Sequence, residues 1–288
     1  MKSEQGYVKV PGGKVWYQTI GKKKGIPFVV VHGGPGFPHY SLQPLDALSD
    51  ERQVIFYDQL GCGKSDRPHD LSLWKKERFV KELEVLIASL KIEKFHMLGN
   101  SWGSMLATEY ALTKPSGLTS LILSGPFLSV HRWINDANAL RKKLPAKLQK
   151  ILSKHEADGT TSSREYENAG LEFYKRHLCR VYPFPKPMRK ARKEMGLDVY
   201  NTMWGPSEFH CIGNLKGHDL TDRLKELGIP VLLTCGKYDE ATPKTTKYYK
   251  NLFPNAQMMV FKNSAHMAVL EETELYVKTV RDFLSKVS

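Results

Sequence analysis

Three short stretches of the sequence hold residue types that together perform acyl transfer. The first, Gly99-Asn100-Ser101-Trp102-Gly103, lies between an apolar run at 95–98 and a run of helix formers. A serine on a sharp strand-to-helix turn needs small residues two positions to either side, because the turn leaves no room for larger ones. The helix that follows brings its N-terminal amides beside the hydroxyl. Ser101 is therefore a candidate nucleophile. A serine hydroxyl stays weak until a base takes its proton, and the base needs a carboxylate to orient it. The stretch GKYDEATP offers Asp239 and the stretch KNSAHMAVLEE offers His266, each just after a β-rich apolar run. Taken singly, Asp239 would N-cap a helix beginning near Pro243, and His266 would be a surface histidine. Taken together, Ser101, Asp239 and His266 stand in the chain order that a nucleophile-elbow fold requires.

Acyl transfer also needs donors aimed at the developing oxyanion. VVVHGGPGF (29–37) follows the first buried strand with two adjacent glycines, which let a backbone N–H approach a substrate closely. Gly34 is the expected donor, partnered by the N–H of Trp102, the residue after the nucleophile. In DQLGCGKSD (58–66), Asp58 and the glycines are expected to shape the sheet end. Ser65 is not expected to be a second nucleophile, and the Lys-Ser pair lacks the spacing of a phosphate loop.

These loops need elements to hold them. YVKV and KVWYQTI, joined by Pro11-Gly12-Gly13, predict an opening hairpin. PFVVV (27–31) and QVIFY (53–57) are continuous β-rich runs, the mark of strands covered on both faces. Residues 72–90 repeat apolar side chains at Phe79, Leu83, Leu86, Ile87 and Leu90, which predicts an amphipathic helix. Strand and helix alternate through residue 124. The alternation stops for roughly 90 residues rich in Lys, Arg, Tyr and Pro, and resumes near 219 with helix LTDRLKEL, strand PVLLTC, helix TPKTTKYYKNLF, strand QMMVF and a final helix. The pattern predicts an α/β fold: a mostly parallel, doubly wound sheet formed by residues 1–126 and 216–288, with 127–215 inserted as a helical cap. Ligands of such sheets bind at the carboxyl ends of the strands, where all three stretches fall.

Composition narrows the function classes. With 288 residues, 41% hydrophobic and 25% charged, the chain suits one large domain. No apolar run approaches the roughly 20 residues that span a bilayer. The start, MKSEQGYVKVPGGK, lacks the apolar core of a signal peptide, so a cytoplasmic location is expected. The cysteines Cys62, Cys179, Cys211 and Cys235 are scattered without a Cys-x-x-Cys pair, so neither a disulfide framework nor a metal site is expected. The net charge of +13 raises nucleic acid as a partner. Residues 131–196 hold 16 Lys and Arg against 7 Asp and Glu, yet show no nucleic-acid module, so neither nucleic acid nor membrane is expected as a partner.

HGGPG (32–36), DQLGCGKSD (58–66), GNSWGS (99–104), MWGPSEF (203–209), GKYDE (236–240) and SAH (264–266) together resemble the proline iminopeptidase family of α/β-hydrolases. The resemblance runs from about the first strand to the last helix. It implies an α/β-hydrolase fold and a serine aminopeptidase, without metal or cofactor, that removes an N-terminal residue, preferably proline, from peptides. It puts nucleophile, acid and base on Ser101, Asp239 and His266, and the oxyanion amides on Gly34 and Trp102. It also implies that Glu208 and Glu240 bind the free amine of the substrate. An amino-acid amide, ester or lactone hydrolase using the same triad is the alternative, and a noncatalytic receptor on this fold is the more distant one. The sequence leaves open which of Phe127, Trp133, Tyr174 and Trp204 faces substrate, and the oligomeric state.

Overall fold

A computed structural model describes residues 3–287. The opening hairpin pairs β1 (Ser3–Val10) with β2 (Gly13–Ile20) in antiparallel register, Val10 opposite Gly13. Next come β3 (Phe28–Val31), β4 (Val54–Tyr57), β5 (Phe95–Asn100), β6 (Leu118–Ser124), β7 (Val231–Gly236) and β8 (Ala256–Phe261). They form one eight-stranded sheet in the order β1-β2-β4-β3-β5-β6-β7-β8, parallel from β4 onward.

The apolar runs explain the layers. Every residue of β3, β4, β5 and β7 is buried, so side chains of both strand faces need cover. One face, with Val29, Val31, Ile55, Met97, Leu121 and Leu233, packs on α1 (Lys76–Ser89), α2 (Trp102–Leu112) and α8 (Pro243–Leu252). The alternate residues Phe28, Val30, Val54, Phe56, Leu98, Ile122 and Leu232 pack on the other side. Their cover is α10 (Thr273–Val287), which presents Tyr276, Val280, Phe283 and Leu284 as one stripe, and a three-ten helix over His39–Asp50. Burying each such side chain contributes about 1.5–3 kcal/mol.

Some expectations shift. The helix expected over 72–90 begins at Lys76, because Leu71–Leu73 form a separate three-ten turn capped by Asp70, whose side chain accepts from Ser72 N. LTDRLKEL is a three-ten turn over Thr221–Glu226 that buries Leu224 alone, too short a stripe for an α-helix. The His39–Asp50 helix falls in a segment whose sequence, with Pro44 inside it, gave no helical signal.

Five helices lie between β6 and β7: α3 (Val130–Arg141), α4 (Ala146–Ala157), α5 (Arg164–His177), α6 (Lys186–Lys193) and α7 (Leu197–Met203). A short α9 (Ala268–Glu271) precedes α10. Among the described residues no helix is long and apolar enough to cross a membrane. All four cysteines are free thiols, and no cluster of three metal-ligating side chains occurs among the described residues.

The chain runs from β3 to β4 on one side, then crosses to β5 on the other side of β3. The crevice between the carboxyl ends of β3 and β5 is therefore the switch point where ligands of such sheets bind.

Candidate functional site

Ser101 sits at that crevice, between the last residue of β5 and the first of α2, with φ 54° and ψ −124°. A left-handed φ is strained for a residue with a side chain, and such strain persists only where the surroundings fix it. Here the Ser101 N–H donates to Ser124 O at 2.9 Å, and Ser104 Oγ donates to Ser101 O at 2.6 Å. The same Ser104 hydroxyl accepts from Phe127 N at 2.8 Å, tying the turn to the loop after β6. The two flanking glycines are steric requirements. A Cβ at Gly99 would strike the Gly103 carbonyl, and one at Gly103 would strike the Val31 carbonyl.

His266 follows β8 and is buried against Gly125, where a Cβ would meet the imidazole ring. Its Nδ1 lies 2.8 Å from Asp239 Oδ1. Asp239, just beyond β7, accepts from Ala241 N at 2.7 Å and from Gly236 N at 3.3 Å. It does not cap the next helix, whose N-cap is Thr242. With the carboxylate so held, Nδ1 carries the proton it donates to Asp239, which leaves Nε2 as the basic atom. Burial works against the imidazolium, but the charge and hydrogen bond of Asp239 outweigh it, with help from Glu208 and Glu271. His266 therefore titrates above its ordinary 6.5. Ser101 and His266 line one cavity together with Gly33, Gly34 and Asn100.

Gly34 has φ 113°, a region that favours glycine. Trp102 opens α2, so its N–H lacks an intrahelical partner and is available to an oxyanion. A network beneath connects the two. His32 Nε2 accepts from Gln59 N at 2.9 Å, and its Nδ1–H reaches Gly33 O at 3.0 Å. Burial pushes the His32 pKa down to about 4, so the ring is neutral and keeps one donor and one acceptor. Gln59 Nε2 donates to His32 O at 2.8 Å, while its Oε1 accepts from Trp102 Nε1 at 2.9 Å. One amide thus joins the glycine loop to the nucleophile helix. In the sequence Gln59 is one polar residue in a loop, and nothing there signals the contact. Asp58 and Ser65 shape the sheet end: Asp58 accepts from His39 N, His39 Nδ1 and Lys64 N, and Ser65 Oγ accepts from Trp16 N.

The acids differ from this. Glu208 lines the cavity and accepts from Tyr200 Oη at 2.9 Å. Its loop is held by indoles, Trp133 Nε1 donating to Glu208 O and Trp204 Nε1 to Ser207 O. Burial raises the Glu208 carboxyl, against the pull of His266 and Tyr200. Glu240 lies behind the cavity wall at 0% exposure, and neither of its carboxyl oxygens has a hydrogen-bond partner among the described residues. Burial, then the charges of Glu208 and Asp239, all push it the same way, well above the usual carboxylate range. Two acids thus lie near one another, and the charges acting on Glu240 are those of acids.

Of the four aromatics left open by the sequence, Tyr174 lines the cavity. Phe127, Trp133 and Trp204 interlock at ring separations of 5.0–6.5 Å, and the rings of Trp133 and His266 stand nearly perpendicular with centres 5.6 Å apart.

The alpha/beta hydrolase fold model matches residues 26–273. A proline iminopeptidase of Heyndrickxia coagulans is 46% identical over 98% of this chain and 99% of its own. Among solved structures, the proline iminopeptidase of Mycobacterium smegmatis superposes with a TM-score of 0.90 at 38% identity, covering 98% of each chain. VinJ superposes at 0.95 with 35% identity, covering 99% of each chain.

Proposed function

The chain belongs to the proline iminopeptidase family of α/β-hydrolases, and from that premise we propose that it is a serine aminopeptidase. It releases an N-terminal residue from peptides, proline in preference, through an acyl-enzyme on Ser101. The observation that carries the reading is a pair of buried acids, Glu208 lining the cavity together with Ser101, and Glu240 near Glu208 with both oxygens unpartnered among the described residues.

An ionised carboxylate in such a place costs several kcal/mol unless a cation joins it. The ammonium of a peptide N-terminus is that cation, and its hydrogen bonds to Glu208 and Glu240 are charge-assisted. Burial raises the pKa of both acids, and for Glu240 the neighbouring acidic charges raise it further, whereas a bound ammonium favours the ionised forms. The bound amine holds the first carbonyl at Ser101. His266 Nε2 takes the hydroxyl proton as Ser101 attacks, and Asp239 stabilises the imidazolium. The N–H groups of Gly34 and Trp102 receive the oxyanion. His266 then gives its proton to the leaving amine, and water, activated by the same imidazole, releases the acyl group.

Residues 127–215 act in this reading as an inserted cap over a core of 1–126 and 216–288. Its support is that α3–α7 fall between β6 and β7 and that this segment supplies most of the cavity wall. The setting is the cytoplasm and the partner is peptide, not nucleic acid or membrane. Part of the basic charge of the inserted segment is engaged in packing: Arg141 pairs with Glu156, Lys175 with Glu172, and Arg132, Arg180 and Lys190 lie over tyrosine rings.

A panel of unblocked aminoacyl anilides tests the proposal. The expected result is turnover led by the prolyl substrate and abolished by a fluorophosphonate that labels Ser101. Turnover that survives quantitative labelling would contradict it.

A further inference from the structure

The cavity continues from Ser101 outward to α6, and its volume, about 370 Å³, falls in the lower part of the range for small-ligand sites. Such a space fits a short peptide and not an extended chain. One wall comes from α6 and the turn after it. Met188, Arg192 and Met195, at spacings of four and three, form one stripe and all line the cavity. Met188 is buried and Met195 half-buried, while Arg192 is exposed at the outer end. A guanidinium thus interrupts an apolar wall.

This wall is fixed relative to the reaction centre. Gly196 N donates to Gly36 O at 2.9 Å, on the loop that carries Gly34. Glu194 O accepts from Gly63 N at 3.0 Å and from Arg67 Nη2 at 2.6 Å, and Tyr40 Oη donates to Glu194 Oε2 at 2.6 Å. Arg192 stands one turn before these anchors. It takes part in no ion pair among the described residues, although the carboxylate of Glu167 also lines the outer cavity.

We propose that Arg192 is a specificity-determining residue that binds a carboxylate at the outer end of the substrate, the C-terminal carboxylate of a short peptide. The proposal rests on the aminopeptidase reading and extends it: acids at the inner end take the amine, and a guanidinium at the outer end takes the opposite charge. The planar guanidinium matches a carboxylate with two parallel hydrogen bonds. Because the contact lies away from the scissile bond, it is made equally in ground state and transition state and acts on KM, not on kcat.

The test compares kcat/KM for prolyl-alanine and prolyl-alaninamide, and for the amides of prolyl-glutamate and prolyl-glutamine, in the wild type and in Arg192→Gln, Arg192→Lys and Glu167→Gln. Each ratio is taken within one preparation, so the fraction of folded enzyme cancels. The wild type should favour the free acid over the amide by about 10-fold, the worth of one charge-assisted contact. Arg192→Gln should bring that ratio to about one, Arg192→Lys should retain part of it, and Glu167→Gln should raise it. An acid-to-amide ratio of one in the wild type, or the same ratio in Arg192→Gln, would overturn the proposal. A preference for the glutamate side chain without one for the C-terminal acid would overturn it too. Absence of turnover on every unblocked prolyl substrate would overturn the aminopeptidase reading along with it.

Discussion

The loops at the ends of β3, β5, β7 and β8 and the acidic end of the cavity treat buried polar groups in opposite ways. In the first region nearly every such group is matched: His266 meets Asp239, Asp239 meets two backbone amides, and Gln59 serves both His32 and Trp102. In the second, Glu240 has neither oxygen matched, and its charged neighbours are acids. Buried polar groups in native proteins are almost always paired, so an exception asks for an explanation. The comparison teaches that the groups around Ser101 and His266 are held by one another, whereas Glu240 has no hydrogen-bond partner among the described residues, a place that the proposed function gives to the substrate amine.

That contrast breaks in different ways when each side is changed. The largest effect belongs to Ser101→Ala, which should lower kcat by about 10^4-fold or more while leaving the melting temperature within a degree or two. Steady-state kinetics beside thermal unfolding checks both halves, since the turn is held by Ser104 and Ser124, not by the lost hydroxyl. Gln59→Leu should lower kcat by about 10–100-fold and change KM little, because it frees the glycine loop from the Trp102 indole without touching the acids. A rise in KM alone would remove Gln59 from the account.

On the acidic side the sign reverses and the effect is smaller. Glu240→Gln should raise stability at neutral pH while it impairs amine binding. The folded-state pKa of Glu240 is raised above its ordinary 4.5, so the stability the protonated acid contributes is fully present below that value. It is lost as pH rises toward the higher folded value. The variant and the wild type should therefore melt together near pH 4 and separate above 4.5, with the variant higher by about 2–4 °C for each kcal/mol. Coincident curves from pH 4 to pH 8 would mean that the Glu240 carboxyl is satisfied after all.

The sequence made the first region legible and the second only in part. Strands β3 and β4 announced themselves as uninterrupted apolar runs, and the steric demand for Gly99 and Gly103 follows from the turn alone. The order of Ser101, Asp239 and His266 along the chain pointed to their meeting at the sheet end. The roles of Gln59 and Ser104 were not legible, since each depends on a partner brought close by the sheet and not by chain spacing. The three-ten helix over His39–Asp50 escaped notice because its burial comes from packing under β3 and β4, with Pro44 interrupting any periodic signal. Glu208 and Glu240 were singled out by resemblance alone; that Glu240 is buried without partners among the described residues is a property of packing that no local pattern records.

The central claim is that the buried acids Glu208 and Glu240 read a positively charged N-terminus at the cavity that Ser101 lines. Comparing wild-type kcat/KM for prolyl anilide with that for N-acetylprolyl anilide tests it most directly. The account predicts that acetylation, which removes the cation, lowers kcat/KM by about 10^4-fold, as expected when buried polar groups are left without their partner. Equal turnover of the two substrates would contradict it.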